Sequence, residues 1–328
     1  MKSLKLGLIG AGGIARLHLD AMQKIDGLKA VGLTSRSLPA AKQLATDYQI
    51  PVCTESVDEM VAQAKPDALL VLVSVDQMFA VTKKALGFGL PLFVEKPAGI
   101  SPEENLELAE SAKEQGVKTM VGFNRRYYSI FHKGIKLIRE RGSLLGVLVE
   151  GHERMPQVRG MNRFSDLVLN EWLYANSIHT IDLLRFFGGE PLHIESIAHR
   201  LHEPRGDQFG AIMELESGGI GQYIAHWYSP GGWRVVLYGE GLTVEFKPLE
   251  QGRFTDEDFK SQEIVPDEED LQLKPGFIRQ MQAFADLVRE GKAAWPLQDL
   301  EGSYRTMVLA QTISSSVGLS HPGGKRRA

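Results

Sequence analysis

The chain contains a glycine-rich segment close to its start, Gly10-Ala11-Gly12-Gly13-Ile14-Ala15. It directly follows an apolar run, residues 5–9, and leads into a helical pattern, the context in which a G-x-G-x-x-G/A sequence binds a dinucleotide. Gly10 would allow a tight turn, and Gly12 would let the backbone approach a pyrophosphate at the helix N-terminus. An ordinary strand-to-helix turn is the alternative. We expect four loop residues to contact the dinucleotide: Gly10, Gly12, Gly13 and Ile14.

The segment after the second apolar run indicates which dinucleotide is bound. It reads Thr34-Ser35-Arg36-Ser37 and lacks the acid that binds the ribose 2′-hydroxyl of NAD in this motif. Arg36 and Ser35 could instead bind a 2′-phosphate through charge-assisted hydrogen bonds. We therefore expect a preference for NADP, with NAD as a possible cofactor. Alternatively, Arg36 is a solvated cation, or it stacks on adenine and tolerates both cofactors.

A lysine follows another apolar run, residues 91–94, in the sequence Glu95-Lys96-Pro97. In open parallel sheets, ligands bind beyond the carboxyl ends of the strands, where Lys96 would lie. An ammonium there can polarise a carbonyl during reduction or stabilise the alkoxide that forms during oxidation. We expect Lys96 to be catalytic and Glu95 to orient it, and we expect both residues to contact the cofactor. Pro97 is a candidate cis proline. The alternative is an exposed loop lysine.

These residues need a parallel sheet to position them, and the first part of the chain predicts one. Short β-rich runs alternate with helical patterns, as in βαβ units. One run, residues 68–75, is almost continuously apolar, which is typical of a strand buried on both faces. Ser101-Pro102 predicts a helix start. The runs comprise residues 5–9, 28–34, 68–75, 91–94 and 118–123.

The remainder of the chain has a different pattern. From about residue 144, longer alternating strands and glycine-rich turns predict a largely antiparallel sheet. Helical patterns occupy about 171–187, 275–289 and 300–315, and the acidic tract 255–270 is interpreted as a solvated loop. A length of 328 residues favours two domains. We place them at residues 1–123 and 124–328, with terminal helices that could pack back on the first domain.

Composition excludes several classes of function. The chain is 43% hydrophobic and 24% charged with a net charge of −4, so nucleic acid and anionic membranes are poor partners. No uncharged apolar stretch reaches the roughly 20 residues that span a bilayer. Only one cysteine, Cys53, is present, which fits a reducing compartment, and we expect a cytoplasmic protein. No metal site is expected, since His199 and His202 would face opposite sides of a strand.

The order of these motifs resembles the Gfo/Idh/MocA oxidoreductase family, named for glucose-fructose oxidoreductase, inositol dehydrogenase and a rhizopine-catabolism protein. Glu95-Lys96-Pro97 after an N-terminal glycine loop carries the resemblance. It extends through Gly122-Phe123-Asn124-Arg125-Arg126, the helix segment 177–185 and the strand pair around 227–245, and so covers nearly the whole chain. The resemblance implies an α/β fold with a Rossmann domain and a C-terminal α/β domain, whose open, mainly antiparallel sheet often mediates oligomerisation.

The resemblance also implies site residues. His179 stands where the family carries a histidine that relays a proton or binds substrate, although a structural role is the alternative. Many members have an aspartate four residues earlier, where this chain has Ala175, and Asn176 could bind a substrate hydroxyl. Asn124 and Arg126 would line the substrate cleft, or would pack at the domain junction. Ser74 replaces the first residue of a Thr-Pro-Asn sequence and would contact the cofactor.

Together these features predict an NAD(P)-dependent oxidoreductase that transfers hydride between nicotinamide and a sugar, cyclitol or related polyol. We expect catalysis by Lys96 and His179, and a homodimer or homotetramer. Two alternatives remain open. One is an enzyme of the same family that uses a hidden redox step to cleave a glycosidic bond, and the other is a non-catalytic dinucleotide-binding sensor, for which Ala175 is the argument.

Overall fold

The structure of the protein is a computed structural model that describes residues 3–316. Six strands from the first part of the chain form one parallel sheet: β1 (Leu4–Ile9), β2 (Leu28–Thr34), β3 (Val52–Thr54), β4 (Ala68–Val71), β5 (Leu92–Val94) and β6 (Thr119–Val121). Five helices connect them: α1 (Gly13–Met22), α2 (Leu38–Asp47), α3 (Val57–Ala64), α4 (Val75–Leu86) and α5 (Pro102–Glu114). The predicted alternation of strands and helices around a parallel sheet is therefore confirmed.

The strand order is β3-β2-β1-β4-β5-β6. Because β1 and β4 are neighbours, the chain runs outward from the middle of the sheet in both directions, and their carboxyl ends flank the crevice where such sheets bind ligands. Residues Ala68–Val71 of β4 are all buried, as an interior parallel strand requires.

The predicted strands differ from the structure in length and number. The run 118–123 is longer than β6, which comprises Thr119–Val121. The run 68–75 is too long, since β4 ends at Val71 and α4 begins at Val75, and the apolar residues between them lead the chain out of the sheet. Strand β3 is not predicted from the sequence, because three half-buried residues are too few to show alternation. The helix start at Ser101-Pro102 is confirmed, with the Ser101 hydroxyl accepting a hydrogen bond from the Glu104 N–H at 3.2 Å.

A short 3₁₀ helix, Asn124–Tyr127, begins the remainder of the chain. The helices that follow are α6 (Ser129–Arg141), α7 (Met155–Gly160), α8 (Asp166–Asn170), α9 (Ile178–Gly188), α10 (Glu268–Gln272), α11 (Phe277–Glu290) and α12 (Leu300–Ser314). The strands are β7 (Leu144–Gly151), β8 (Pro191–His199), β9 (Gln208–Leu215), β10 (Ile220–His226), β11 (Trp233–Gly239), β12 (Leu242–Phe246), β13 (Gly252–Asp256) and β14 (Ser261–Ile264).

These eight strands form a second sheet in the order β14-β13-β12-β11-β7-β10-β9-β8. All neighbours are antiparallel except β7 and β10, so the predicted mainly antiparallel sheet is confirmed. Its inner face packs against helices, as the stacking of Phe187 on Phe246 at 6.1 Å between ring centroids shows. The outer face exposes apolar side chains, among them Ile212 and Ile224.

Two further predictions need correction. The acidic tract 255–270 is not a loop, since it contains the end of β13, all of β14 and the start of α10. The predicted helix at about 171–187 is not one regular helix either, because a π-helical segment, Leu173–Ser177, precedes α9. Its predicted end is correct, with Gly189 at a φ of 80° after α9.

Contacts divide the described residues into two compact units. The first unit comprises residues 3–132, 174–176 and 266–307, and the second comprises residues 133–173, 177–265 and 308–316. The first unit therefore includes α11, which lies far along the chain from the parallel sheet. The boundary at residue 123 stays a prediction.

Helix α11 contributes to the core of the first unit. Its residues Met281 and Phe284 are fully buried and belong to the same apolar cluster as Leu6 and Leu8 of β1. The Phe284 ring lies edge-on to Phe93 of β5, with 5.6 Å between centroids. Late residues of the chain thus complete the core that supports the first sheet.

We predict that Phe284→Ala lowers the free energy of unfolding by about 3–5 kcal/mol, because it removes a buried ring and leaves a cavity. Urea denaturation followed by circular dichroism measures the change. Leu271→Ala is the control, since Leu271 lies in the same unit with 70% of its surface exposed and its loss should cost less than about 0.5 kcal/mol. Equal losses in both variants would contradict the placement of α11 in the core.

Candidate active site

The glycine loop joins β1 to α1 at the carboxyl edge of the first sheet. Gly10 has a φ of +116°, and a Cβ at this position would collide with the carbonyl oxygen of Leu72 just beyond β4. A side chain is therefore excluded by both backbone conformation and space. This close approach brings the loop directly against the end of β4.

Gly12 has a different environment. Its φ of −81° suits any residue, and a Cβ built there meets no atom within 4 Å. Gly13 is equally open. The protein itself therefore gives no steric reason for glycine at these two positions. A ligand group lying against the N-terminus of α1 would supply that reason.

A cavity of about 320 Å³ lies beside this loop. It is bounded by the glycine loop, the segments after β2 and β4, the start of α3 and one face of α4. Of the residues predicted to bind the cofactor, Gly10, Gly12, Ser35, Arg36 and Ser74 line it. Its other lining residues are Ile9, Ala11, Thr34, Glu55, Val57, Leu72, Val73, Gln77, Ala80, Val81 and Lys84.

The other predicted cofactor residues lie outside this cavity lining. Gly13 is the first residue of α1, and Ile14 packs against the apolar core of the first unit. Glu95 and Lys96 follow β5, two strands away from β1 in the sheet. Five predicted residues thus line the cavity and four lie outside its lining, although Gly13 directly follows Gly12.

Charged groups that the sequence analysis did not assign also lie at the cavity. Glu55 and Lys84 line it, and Asp76 lies in the first turn of α4. A hydrogen bond from Ser74 is the main cause that lowers the pKa of Asp76, and the positive charge of Arg36 adds to the effect. The spacing of Gln77, Val81 and Lys84 along α4 was the available signal for Lys84, because residues three or four apart share a helix face.

The Glu95-Lys96-Pro97 segment forms the second part of the site. The peptide bond between Lys96 and Pro97 is cis, which confirms that prediction. The ammonium of Lys96 donates a hydrogen bond to the main-chain carbonyl of Ala175 at 2.9 Å. Lys96 is half-buried and so is not a freely exposed loop lysine. The residue at position 175 thus contacts the lysine through its main-chain oxygen.

Glu95 is buried, and its carboxylate contacts His18 of α1. One of its carboxylate oxygens lies 2.7 Å from Nε2 of His18 in α1, and the other accepts a hydrogen bond from the Lys96 N–H at 3.2 Å. Gly122 leaves the space for this carboxylate, since a Cβ there would lie 3.0 Å from the carboxyl carbon of Glu95. His18 thus belongs to the surroundings of the site, although its local sequence gave no sign of a carboxylate partner.

Asn124 and Arg126 are both buried in the 3₁₀ helix that follows β6. The Asn124 amide donates to the carbonyl of Pro275 at 3.0 Å, and the Arg126 guanidinium donates to the carbonyl of Pro296 at 3.4 Å. Both side chains therefore contact segments of residues 266–307 within the first unit. Their role in substrate binding stays a prediction.

The residues predicted around the histidine are divided between the two units. Asn176 is half-buried and lies in the π-helical segment with Ala175 in the first unit, whereas His179 lies in α9 of the second. His179 is 3% exposed, with its ring centroid 6.1 Å from that of Trp233. Just before α9, the Ser177 hydroxyl donates to Glu153 at 2.7 Å, and both side chains are buried. Sequence reasoning missed Glu153, a single acid after β7 without a motif.

No group of three or more His, Cys, Asp or Glu side chains among residues 3–316 could hold a metal ion. Within the same residues, no helix has the length and apolarity needed to cross a membrane.

Comparison with known proteins identifies the family. Residues 4–123 match the family described as oxidoreductase family, NAD-binding Rossmann fold, and residues 142–245 match the Gfo/Idh/MocA C-terminal domain. An uncharacterized oxidoreductase from Bacillus subtilis (strain 168) is 26% identical over 216 residues, which are 64% of this chain and 62% of that protein. Inositol 2-dehydrogenase from Corynebacterium glutamicum (strain R) is 25% identical over 308 residues, covering 88% and 87% of the two chains.

A solved structure agrees in fold. The oxidoreductase from Agrobacterium radiobacter in complex with NAD⁺, L-tartaric acid and magnesium superimposes with a TM-score of 0.76 at 15% identity, covering 96% of each chain. The two family matches together span more than half of the sequence and contain both the glycine loop and the Glu95-Lys96-Pro97 segment. The chain therefore belongs to the Gfo/Idh/MocA family of NAD-binding oxidoreductases.

Proposed function

We propose that this oxidoreductase transfers hydride between a nicotinamide dinucleotide and a carbon of a sugar, cyclitol or related polyol. The observation that carries the proposal is the position of Lys96, half-buried at the carboxyl edge of the same sheet whose β1 ends in the glycine loop. The inositol 2-dehydrogenase relative supports the substrate class.

The residues of the first unit fit a dinucleotide. The open space over Gly12 and Gly13 would hold the pyrophosphate at the N-terminus of α1, where backbone N–H groups and the helix dipole favour negative charge. Val57, Ala80 and Val81 give the nearby cavity apolar walls for adenine. When bound, the nicotinamide supplies or accepts the hydride.

We further propose that NADP is preferred and that NAD is also accepted. The support is a set of residues at the end of β2 that would bind a 2′-phosphate. No acid ends β2, and Ser35 and Arg36 both line the cavity. A guanidinium matches a phosphate group in geometry and charge. The Asp76 carboxylate lies close enough to sense the charge of Arg36, so it would moderate the attraction without replacing it.

We propose that Lys96 is the residue that contacts the reacting oxygen of the substrate. The ammonium would hydrogen-bond to that oxygen and stabilise the negative charge that develops on it, in either direction of the reaction. Its hydrogen bond to the Ala175 carbonyl at 2.9 Å holds the amine in place. His179 would bind the substrate or relay its proton, and Asn124, Arg126 and Asn176 are proposed to bind substrate hydroxyls.

A non-catalytic dinucleotide sensor is the second candidate, and Ala175 is the observation that favours it. A redox-assisted glycosidase of the same family is a further possibility within the enzyme class. Absorbance of the reduced nicotinamide during a screen of polyols, keto-sugars and glycosides distinguishes the three. Net absorbance change indicates a dehydrogenase, glycoside cleavage without it indicates hidden redox chemistry, and cofactor binding without turnover indicates a sensor.

We also propose a cytoplasmic homodimer or homotetramer. The outer face of the second sheet exposes Ile197, Ile212, Ile220, Ile224 and Tyr238 among polar side chains such as Gln222, a mixture that a subunit interface could cover. Sedimentation equilibrium would determine the number of subunits. The net charge of −4 continues to argue against nucleic acid or anionic membranes as partners.

We predict that Gly12→Val abolishes dinucleotide binding while leaving the protein folded. The valine would occupy the space of the pyrophosphate, whereas the surrounding protein has no atom within 4 Å of the new Cβ. Isothermal titration with NADP⁺ and thermal unfolding measure the two properties. A variant that binds NADP⁺ normally would show that the phosphates lie elsewhere.

Cofactor choice gives a separate prediction. Arg36→Ala should weaken NADP⁺ binding by about 1.5–3 kcal/mol, the value typical of hydrogen bonds to charged groups, and should leave NAD⁺ binding nearly unchanged. Titration of both dinucleotides against wild type and variant tests this. Equal losses for the two cofactors, or none, would refute the role of Arg36.

We predict that Lys96→Met lowers turnover at least about a hundredfold with near-normal NADP⁺ affinity, because it removes a charge that acts mainly in the transition state. His179→Ala should cause a smaller loss, since Ala175 stands where many family members carry the aspartate of the proton relay. Lys113→Met, on the exposed face of α5, is the matched control. Retention of most turnover by Lys96→Met would refute the mechanism.

A further inference from the structure

We propose that His18 is a positioning residue for Lys96 and acts through the carboxylate of Glu95. The proposal rests on the proposed function insofar as Lys96 is taken to be catalytic. It adds a residue of the cofactor-binding helix α1 to the groups that hold the lysine in place.

The hydrogen bonds form a continuous connection. Nε2 of His18 lies 2.7 Å from Oε1 of Glu95, and Oε2 of the same carboxylate accepts from the backbone N–H of Lys96 at 3.2 Å. The two carboxylate oxygens therefore have different partners, one in α1 and one in the peptide group that carries the lysine. Rotation of the carboxylate would break both contacts, so fixing one oxygen fixes the other.

The surroundings leave this carboxylate little freedom. His18 is fully buried and its ring lies against Phe93 and Phe277, with centroids 4.9 and 5.1 Å away. Glu95 is 7% exposed and lies against the bare backbone of Gly122. A buried carboxylate that loses its hydrogen-bond partner pays a large desolvation cost, which makes the observed pairing strongly preferred.

The location of His18 gives its hydrogen bond to Glu95 a role beyond packing. The N-terminus of α1 follows the glycine loop, and His18 lies in the same helix. The element that would bind the pyrophosphate is therefore also joined to the peptide of Lys96. A rigid helix that makes both contacts fixes the position of the lysine relative to the cofactor. This matters because misplacing a catalytic group by 1 Å can reduce a rate about a hundredfold.

The test measures Lys96 directly and needs no substrate. Limited acetylation with acetic anhydride, followed by mass spectrometry of peptides, gives the reactivity of Lys96 relative to the exposed Lys113. We expect His18→Leu to raise this ratio about threefold, the factor that one hydrogen bond of ordinary net strength confers. His18→Gln, which keeps a donor in place of Nε2, should restore the wild-type ratio.

Two controls make the result specific. Leu19→Ala removes a buried neighbour in α1 that has no polar contact with Glu95, so it reports the effect of destabilisation alone. Glu95→Gln provides a second route should His18→Leu fail to fold, and it should raise the labelling of Lys96 similarly. In the Glu95→Gln background, His18→Leu should then add little, because the two residues act as one unit.

An unchanged Lys96 ratio in His18→Leu, or an equal rise in Leu19→Ala, would overturn the positioning role. This outcome is separate from the fate of the proposed function, which Lys96→Met decides through turnover. With a substrate from the absorbance screen, His18→Leu should lower kcat about tenfold or more while changing KM little, as expected for a misplaced catalytic group. A loss confined to KM would likewise contradict the proposal.

Discussion

The contact between Gly10 and the carbonyl of Leu72 sets the geometry on which the first unit depends. Backbone meets backbone there without an intervening side chain, so the loop after β1 and the chain leaving β4 are held at van der Waals distance. That approach determines where α1 begins and therefore the direction of its N-terminal N–H groups. The cavity beside this contact is lined by the glycine loop, by the segments after β2 and β4, by the start of α3 and by one face of α4.

Local sequence was sufficient for the parts of the fold with strong periodicity. Apolar runs and glycine positions predicted the parallel sheet, the mainly antiparallel sheet and the end of α9 at Gly189. Local sequence did not predict β3 or the hairpin of β13 and β14. Short or polar strands are stabilised by neighbouring strands and show little periodicity of their own. The acidic residues of that hairpin therefore resemble a loop in the sequence.

The candidate site shows the same division. Glycine spacing and the Glu95-Lys96-Pro97 motif identified the loop and the lysine, since both are encoded by consecutive residues. The contact of His18 with Glu95 joins residues 77 positions apart, and no local pattern encodes it.

Ala175 shows a second limit of local sequence. The sequence treats it as lying one α-helical turn before His179, but the π-helical segment at Leu173–Ser177 widens that turn and changes which side chains share a face.

The isoleucines on the outer face of the second sheet have a consequence for how this protein behaves on dilution. Four exposed isoleucines and a tyrosine cost free energy in water that a covering subunit would return, so in the proposed oligomer the folded state would be stabilised by mass action as well as by its own core. In the proposed oligomer, the midpoint of thermal unfolding would rise with protein concentration. Stability would then be a property of the assembly, and a substitution on this face could weaken the chain without touching any residue of its interior.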